Sequence, residues 1–199
     1  MRPLLVGIIA AVLFSQPLSA YIHFNITERG QSVVVKWQRM PVRWFAKNSG
    51  VPGVTASDFQ ATLSRAFATW QAVPTASISF QFAGFTGAEP SDEDGISVLG
   101  FQSNPGMDRV LGATGFIVDV ITGEIVESDI FFNSIFPWST SAAGDPLRFD
   151  LESVAVHEIG HFLGLGHSAL GETEVDSSGD RRGLGGGGVV RAEALDFRL

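Results

Sequence analysis

The 199-residue sequence contains no cysteine, which excludes disulfide bonds, thiolate metal sites and cysteine nucleophiles. Any metal ion must therefore be held by His, Asp or Glu, and there are only four histidines. Basic residues are also scarce, with 13 Lys and Arg against 21 Asp and Glu and a formal net charge of −8. This balance disfavours nucleic acid or an anionic membrane as a partner. With 45% hydrophobic and 17% charged residues, the sequence predicts a folded globular protein.

Long apolar runs are equally scarce, and the clearest one lies near the start of the sequence. Leu4 to Phe14 contains no polar residue, Arg2 precedes it, and the small residues Ser19 and Ala20 precede a plausible cleavage point. The run is too short to cross a bilayer, which takes about 20 residues. The pattern predicts a secretory signal at residues 1–20. We therefore expect a protein exported to the extracellular medium or the periplasm, with no membrane attachment after signal removal.

The remaining sequence has the length of one ordinary domain and alternates predicted strands with two predicted helices. The first helix is expected to have Ser57 as its N-cap, with Gln60 as capping-box partner, and to end before Pro74. The second is expected from about Leu151 to Leu163. Strands interrupted by one early and one late helix predict an α/β or α+β layered fold with mixed strand directions. The predicted strands are Val33–Trp37, Pro41–Ala46, Ile78–Phe82, Gly95–Phe101, Val110–Val120 and Glu124–Asn133.

An acidic run in a predicted loop is the first candidate site for a cation. Carboxylate oxygens are suitable ligands for Ca²⁺, but this run lacks the ordered spacing of an EF-hand loop. A solvated loop is the favoured interpretation, and Ca²⁺ remains an alternative without a defined motif. The run consists of Glu89, Asp92, Glu93 and Asp94.

The chemistry is concentrated in residues 157–168, which read His-Glu-Ile-Gly-His-Phe-Leu-Gly-Leu-Gly-His-Ser. His157 and His161 are four residues apart, which on a helix places both imidazoles on one face. Gly164 follows the apolar part of this helix, where a glycine with positive φ can reverse the chain and bring His167 towards the same metal ion. Three histidines so close together favour a metal site over histidines that merely occupy a polar helix face. We predict one catalytic Zn²⁺ with three imidazole ligands and an open fourth position.

Glu158 is the candidate catalytic residue. It is adjacent to a predicted ligand and about 100° away around the helix. Its side chain therefore does not lie on the helix face of the two histidines, but it can reach a metal-bound water. We expect the metal to activate this water and polarise a peptide carbonyl, while Glu158 acts as general base and later protonates the leaving amine. The fourth histidine, His23, is predicted to be an ordinary strand or surface residue.

The extended motif, with Gly160 before the second histidine and Ser168 after the third, resembles the metzincin zinc endopeptidases, and most closely their matrixin branch. The resemblance extends over about Pro41 to Ser168. It implies a zincin-like α/β (α+β) fold, in which a twisted, mostly parallel sheet has one antiparallel edge strand and lies against an early helix and the zinc-motif helix. It also implies that a protein or peptide substrate pairs with that edge strand, at about Val110 to Val118. A monomer is expected.

Two features depart from the family pattern. Metzincins have a methionine-containing turn after the third histidine, but the methionines of this sequence are Met1, Met40 and Met107. Matrixins also hold a second, structural zinc, yet Phe131 stands where one of its histidines would fall. We therefore expect no second zinc site.

The sequence after the motif is unusual as well. Residues 175–199 are rich in Gly and Arg, and they predict an atypical tail with a truncated or irregular C-terminal subdomain, which a frameshift or truncation would explain. Within this tail, residues 191–197 would form at most a short helix. The predicted organisation is a signal at 1–20, a metzincin-like catalytic domain at 21–174 and the tail at 175–199.

Two functions fit these observations. The first is a secreted zinc endopeptidase with His157, His161 and His167 as ligands and Glu158 as general base. The alternative is a catalytically impaired zinc-binding or interaction protein derived from a matrixin-like protease. The intact Glu158 favours the enzyme, whereas the unusual tail favours the impaired protein.

Overall fold

The structure is a computed structural model that describes residues 22–28, 30–167 and 189–195. The predicted signal at 1–20 lies outside these residues, as does most of the predicted tail at 175–199. Among the described residues, no helix has both the length and the apolar composition that crossing a bilayer requires.

The described chain forms twelve strands, two α-helices and one short 3₁₀ turn at Pro105–Met107. The helices are α1 (Ala56–Gln71) and α2 (Leu151–Phe162). The strands are β1 (Ile22–His23), β2 (Asn25–Glu28), β3 (Gln31–Val34), β4 (Val42–Lys47), β5 (Phe80–Thr86), β6 (Val98–Gln102), β7 (Gly112–Asp119), β8 (Ile125–Asn133), β9 (Trp138–Ser139), β10 (Phe149–Asp150), β11 (Leu165–Gly166) and β12 (Val189–Leu195).

The main sheet has the strand order β12-β7-β8-β6-β4-β5. The three pairs among β5, β4, β6 and β8 are parallel, whereas β7 runs antiparallel to β8. The predicted α/β fold, with a mostly parallel sheet, an early helix and a motif helix, is confirmed. Three two-stranded pairs lie outside this sheet, namely β1 with β11, β2 with β3, and β9 with β10.

The outer side of β7 differs from the prediction. All residues of β7 except Gly112 pair antiparallel with β12, from Val189 opposite Asp119 to Leu195 opposite Ala113. The expectation that β7 is the edge of the sheet is therefore wrong, and so is the predicted helix at 191–197 for its described part. A helix of so few residues is marginal on its own, and main-chain pairing with an available strand overrides it.

Helix α1 lies against α2, and this contact sets the position of the motif helix. The buried face of α1, which includes Phe59, Leu63 and Phe67, packs into the main apolar core. The indole N–H of Trp70 donates to the carbonyl of Val156 at 2.7 Å. Gly160 permits this close approach, because a Cβ there would lie 3.0 Å from the Trp70 ring.

The N-terminal cap of α1 differs from the prediction by two residues. Thr55, rather than Ser57, is the N-cap, and its side chain accepts a hydrogen bond from the backbone N–H of Asp58 at 3.1 Å. The side chain of Asp58 in turn accepts from the backbone N–H of Thr55, which completes the capping box. The capping-box pattern Thr55-x-x-Asp58 overlaps the pattern Ser57-x-x-Gln60, and the helix is capped by the earlier of the two.

The predicted turn between β7 and β8 is confirmed at Thr122-Gly123, where Gly123 has φ +71°. The side chain of Asp119 accepts hydrogen bonds from the backbone N–H groups of Ile121 at 2.9 Å and Thr122 at 3.0 Å. The bonds from Thr122 and Ile121 favour the ionised carboxylate and hold the pKa of Asp119 below its usual value. These bonds stabilise the turn that joins β7 to β8.

A second, smaller apolar cluster fills the space between the N-terminal strands and β7 and β8. Trp37 packs against both this cluster and the main core, and its indole N–H donates to the carbonyl of Phe162 at 2.7 Å. The last turn of α2 is therefore held by a segment that lies far away in sequence. The cluster consists of Phe24, Val35, Phe116, Val118 and Ile125.

Candidate metal centre

Helix α2 positions the first two histidines of the motif. It begins at the N-cap Asp150, whose side chain accepts from the backbone N–H of Ser153 at 2.9 Å. Its apolar face is buried in the main core, with Val154, Ala155 and Ile159 almost fully covered. His157 and His161 leave the same side of this anchored helix, as the four-residue spacing predicts.

The chain turns immediately after α2, which brings the third histidine back. Leu163 caps the helix, and Gly164 follows with φ +84°. The backbone N–H of Gly164 donates to the carbonyl of His161 at 2.8 Å. The predicted glycine turn is therefore confirmed, and His167 lies beside the helical pair.

The three imidazoles converge on one point. The Nε2 atom of His157 lies 3.1 Å from that of His161 and 3.3 Å from that of His167. The ring planes of His161 and His167 are almost perpendicular, at 89°, with centroids 4.7 Å apart. Nitrogen ligands of a tetrahedral zinc ion at 2.0–2.1 Å are about 3.3 Å from one another. The donor set therefore fits a single Zn²⁺, and the group could hold a metal ion.

The tautomer of His161 is set by a second hydrogen bond. Its Nδ1 lies 2.7 Å from the carbonyl oxygen of Leu165, which can only accept. The ring must therefore carry its proton on Nδ1, which leaves the lone pair of Nε2 directed at the other two imidazoles. Outer contacts of this kind are typical of histidines that bind metals.

Glu158 lies on the same turn of α2 as His157, with its side chain against strand β7. Its side chain is fully buried, and the hydroxyl of Thr114 lies 2.7 Å from its Oε2 atom. The backbone at Gly112 approaches it closely, since a Cβ there would lie 3.3 Å from Cγ of Glu158. The carboxylate is therefore held between the motif helix and the strand predicted to bind substrate.

The acidic run has local partners in the structure. Glu89 forms an ion pair with Lys47, whose Nζ lies 2.6 Å from Oε1. Asp92 accepts from the backbone N–H of Glu89 at 3.0 Å, and Asp94 accepts from that of Ile96 at 3.1 Å. These contacts favour the interpretation of the run as a solvated loop with its own turn bonds.

The structure also identifies contributors that sequence reasoning missed. Thr114 contacts the candidate base, and the Leu165 carbonyl orients His161. Phe24 packs against the His161 ring, with centroids 6.0 Å apart. Each contact except that of Leu165 joins residues far apart in sequence, so no local spacing could have indicated it. His23 is an exposed strand residue, as predicted.

Comparison with known proteins identifies the family. The sequence profile of the Matrixin family matches residues 36–173, which is more than half of the chain. The chain belongs to the matrixin family. Matrixins are zinc metalloendopeptidases, and the predicted resemblance is thereby confirmed.

Individual matrixin-like relatives agree with this assignment. Metalloendoproteinase 1 of Glycine max is 36% identical over 126 residues, which cover 56% of this chain and 35% of the relative. Matrix metalloproteinase-16 of Rattus norvegicus is 32% identical over 151 residues, covering 73% of this chain and 24% of the relative. Metalloendoproteinase 5-MMP of Arabidopsis thaliana is 61% identical over 36 residues, or 17% of this chain and 10% of the relative. This matrixin thus matches about a third or less of the length of these relatives.

Gly164 offers a test of the turn that carries His167. A side chain there is strained at φ +84°, and its Cβ would collide with the carbonyl oxygen of Val35. We expect Gly164→Ala to lower the free energy of unfolding by at least about 2 kcal/mol and to weaken metal binding. Urea denaturation and zinc titration measure the two effects.

Gly144→Ala is the matched control for this substitution. Gly144 also has a positive φ, of +77°, but a Cβ at this position would have no neighbour within 4 Å. We expect backbone strain to lower the free energy of unfolding by only about 1 kcal/mol, and we expect zinc affinity to be unchanged. Equal losses of stability and zinc affinity in both variants would contradict the role assigned to the Gly164 turn.

Proposed function

We propose that this matrixin is an exported zinc endopeptidase that cleaves peptide bonds in protein or peptide substrates. His157, His161 and His167 would hold one Zn²⁺. The observation that carries the proposal is the convergence of their Nε2 atoms, at 3.1 and 3.3 Å from that of His157, beside a buried carboxylate. A zinc ion held there would supply a Lewis acid that polarises a carbonyl and makes water a nucleophile at neutral pH.

Glu158 acts as general base in this proposal. Its carboxylate takes a proton from the attacking water and delivers it to the leaving amine. Thr114 holds the carboxylate through Oε2, at 2.7 Å, so that Glu158 keeps one orientation between α2 and β7. A base that is fixed before substrate arrives does not need to be ordered during the reaction.

An extended peptide would bind along strand β7 in place of β12, which pairs with the outer side of this strand in the structure. The first residues of β7 lie against Glu158, so a peptide paired with this strand would pass the candidate base. Main-chain hydrogen bonds would give affinity that depends little on sequence. The predicted signal at residues 1–20 supports export to the extracellular medium or the periplasm.

Proteolysis with a chelator control tests the proposal. We expect purified protein to cleave an unfolded protein substrate, and we expect a chelator to abolish cleavage until zinc is restored. Cleavage that persists in the chelator and in Glu158→Ala would refute it. Stoichiometric zinc without cleavage under any condition would instead support the impaired zinc-binding protein.

Thr114→Val tests how Glu158 is held. Valine matches the shape of threonine but cannot donate to the carboxylate, which would lose a buried hydrogen bond. We expect kcat to fall about 10-fold, well below the effect of removing the base itself. Zinc content should remain at one equivalent. An unchanged kcat would show that the Thr114 contact does not position the base.

A further inference from the structure

Part of the support of the histidine cluster comes from a part of the chain that the family match does not include. The match begins at residue 36, whereas Phe24 and strand β1 precede it. Strand β1 pairs antiparallel with β11, so that Ile22 lies opposite Gly166 and His23 opposite Leu165. Residues 165 and 166 directly precede His167, and the carbonyl of Leu165 also orients His161.

Phe24 contacts the same turn through its backbone and its ring. Its N–H donates to the carbonyl of Gly164 at 2.9 Å, and its own carbonyl accepts from Val35 at 2.9 Å. The residue is 7% exposed, and its ring lies against both His161 and Phe116, with centroid distances of 6.0 and 5.4 Å. One residue thus joins the turn before His167 to the side of the His161 imidazole.

We infer that Phe24 is a positioning residue for the metal centre. Its ring limits rotation of His161, and its backbone, together with β1, holds the turn that carries His167. The inference rests on the proposed zinc site. Histidine ligands bind tightly only when their rings are held in place, and residues that hold them typically change metal affinity 10–100-fold when substituted. In this chain the support comes from an N-terminal strand.

Phe24→Leu tests this inference, with Phe116→Leu as the matched control. Both phenylalanines are buried in the same cluster and both substitutions remove one ring. We expect Phe24→Leu to weaken zinc binding about 10-fold or more and to alter the visible spectrum of the Co²⁺-loaded protein. Phe116→Leu should reduce thermal stability while leaving the spectrum and the zinc Kd close to those of the parent. Phe24→Tyr, which keeps the ring, should also match the parent.

The outcomes separate this inference from the proposed function. Equal zinc Kd values in the two leucine variants, or a parent spectrum in Phe24→Leu, would overturn the inference alone. No zinc binding by the unsubstituted protein would overturn the proposed site and the inference together. If Phe24→Leu does not fold, Phe24→Met keeps most of the volume without a ring and carries the same expectation.

A second, independent observation concerns strand β12. It pairs with β7 over seven residues, from Val189 opposite Asp119 to Leu195 opposite Ala113. The paired stretch of β7 includes Thr114, which contacts the candidate base. The main-chain groups on this side of β7 are therefore already paired with the chain itself.

The geometry points to an autoinhibitory role for Val189–Leu195. An extended peptide cannot pair with the outer side of β7 until β12 has left it, so bound β12 lowers the fraction of protein that can accept a peptide. The apparent Kd for a peptide equals the intrinsic Kd divided by that fraction, so bound β12 raises it. This second inference concerns peptide access to β7 and does not depend on hydrolysis.

Ala192→Pro in the full chain tests this role, with Ala142→Pro as the control. Proline inside a strand removes a backbone donor and distorts the pairing. Ala142 is exposed at the second position of a turn in which Gly144 N–H donates to the carbonyl of Ser141, where proline is well tolerated. The probe is a fluorescent synthetic peptide with the sequence of residues 189–195.

We expect Ala192→Pro to bind this peptide at least about 10-fold more tightly than the parent or Ala142→Pro. The backbone amides within Gly112–Asp119 that face β12 should exchange faster in Ala192→Pro than in the other two proteins. Equal peptide affinities, or equal exchange rates of these amides, would overturn the inference. Neither measurement requires cleavage. A protein that fails to hydrolyse peptides would therefore refute the proposed function, whereas the autoinhibitory role of Val189–Leu195 would still be decided by peptide affinity and amide exchange.

Discussion

The His161→Ala variant is expected to lose most of its bound zinc. A catalytic site with three protein ligands has none to spare. His161 is also nearly buried, and its Nδ1 lies 2.7 Å from the carbonyl oxygen of Leu165. We expect zinc affinity to fall by more than about 100-fold, which exceeds the usual effect of residues that only orient a ligand. Metal analysis after dialysis against a weak chelator measures this loss.

His23→Ala is the matched control for the ligand substitution. His23 is the one histidine outside the motif, and it is exposed on strand β1. Its variant should retain one equivalent of zinc. Full zinc occupancy in His161→Ala, or an equal loss in both variants, would show that the ligand set is misassigned.

Glu158→Gln is expected to reduce kcat by about 10²–10⁴-fold, the range over which a general base contributes. Glutamine keeps the shape of the buried side chain and can still accept from Thr114, but it cannot take a proton at neutral pH. KM should change little, because the base acts mainly in the transition state. Zinc content should be unchanged. Steady-state kinetics with a peptide substrate, together with metal analysis, separate these effects.

Glu152→Gln is the corresponding control on the same helix. Glu152 is partly exposed near the start of α2 and pairs with Arg65 at 2.7 Å. Loss of this surface pair should leave kcat unchanged and alter stability by less than about 1 kcal/mol. A similar fall in kcat in both variants would contradict the role of Glu158 as general base.

The parts of the site that lie within one stretch of sequence could be predicted from it. The spacing of His157 and His161 determines their shared helix face, and Gly164 determines where the chain turns. Both features follow from backbone geometry over a few residues. The bounds of α2 were predicted accurately for the same reason, since this helix ends at Phe162 and its expected end was Leu163.

The contacts that complete the site could not be predicted in this way. Thr114 and Glu158 are 44 residues apart, and Trp37 and Phe162 are 125 residues apart. A single sequence carries no record of such pairings. Nothing in the sequence around Phe24 distinguishes it from other apolar residues, although its ring lies against His161.

The strand at Val189–Leu195 shows how tertiary pairing overrides local preference. The residues Arg-Ala-Glu-Ala-Leu have high intrinsic helix propensities, but a helix of this length is marginal without packing. Strand β7 offers a row of main-chain groups on its outer side, and the segment pairs with them as β12. The prediction of a helix was wrong because it considered the segment without its neighbouring strand in the sheet.

X-ray absorption spectroscopy of the zinc-loaded protein tests the central claim most directly. The account predicts one zinc ion per chain with three imidazole nitrogens at about 2.0–2.1 Å and one further light ligand. Replacing His167 with alanine should reduce the imidazole count to two. A zinc ion with fewer than three imidazoles in the unsubstituted protein, or a spectrum unchanged by His167→Ala, would contradict it.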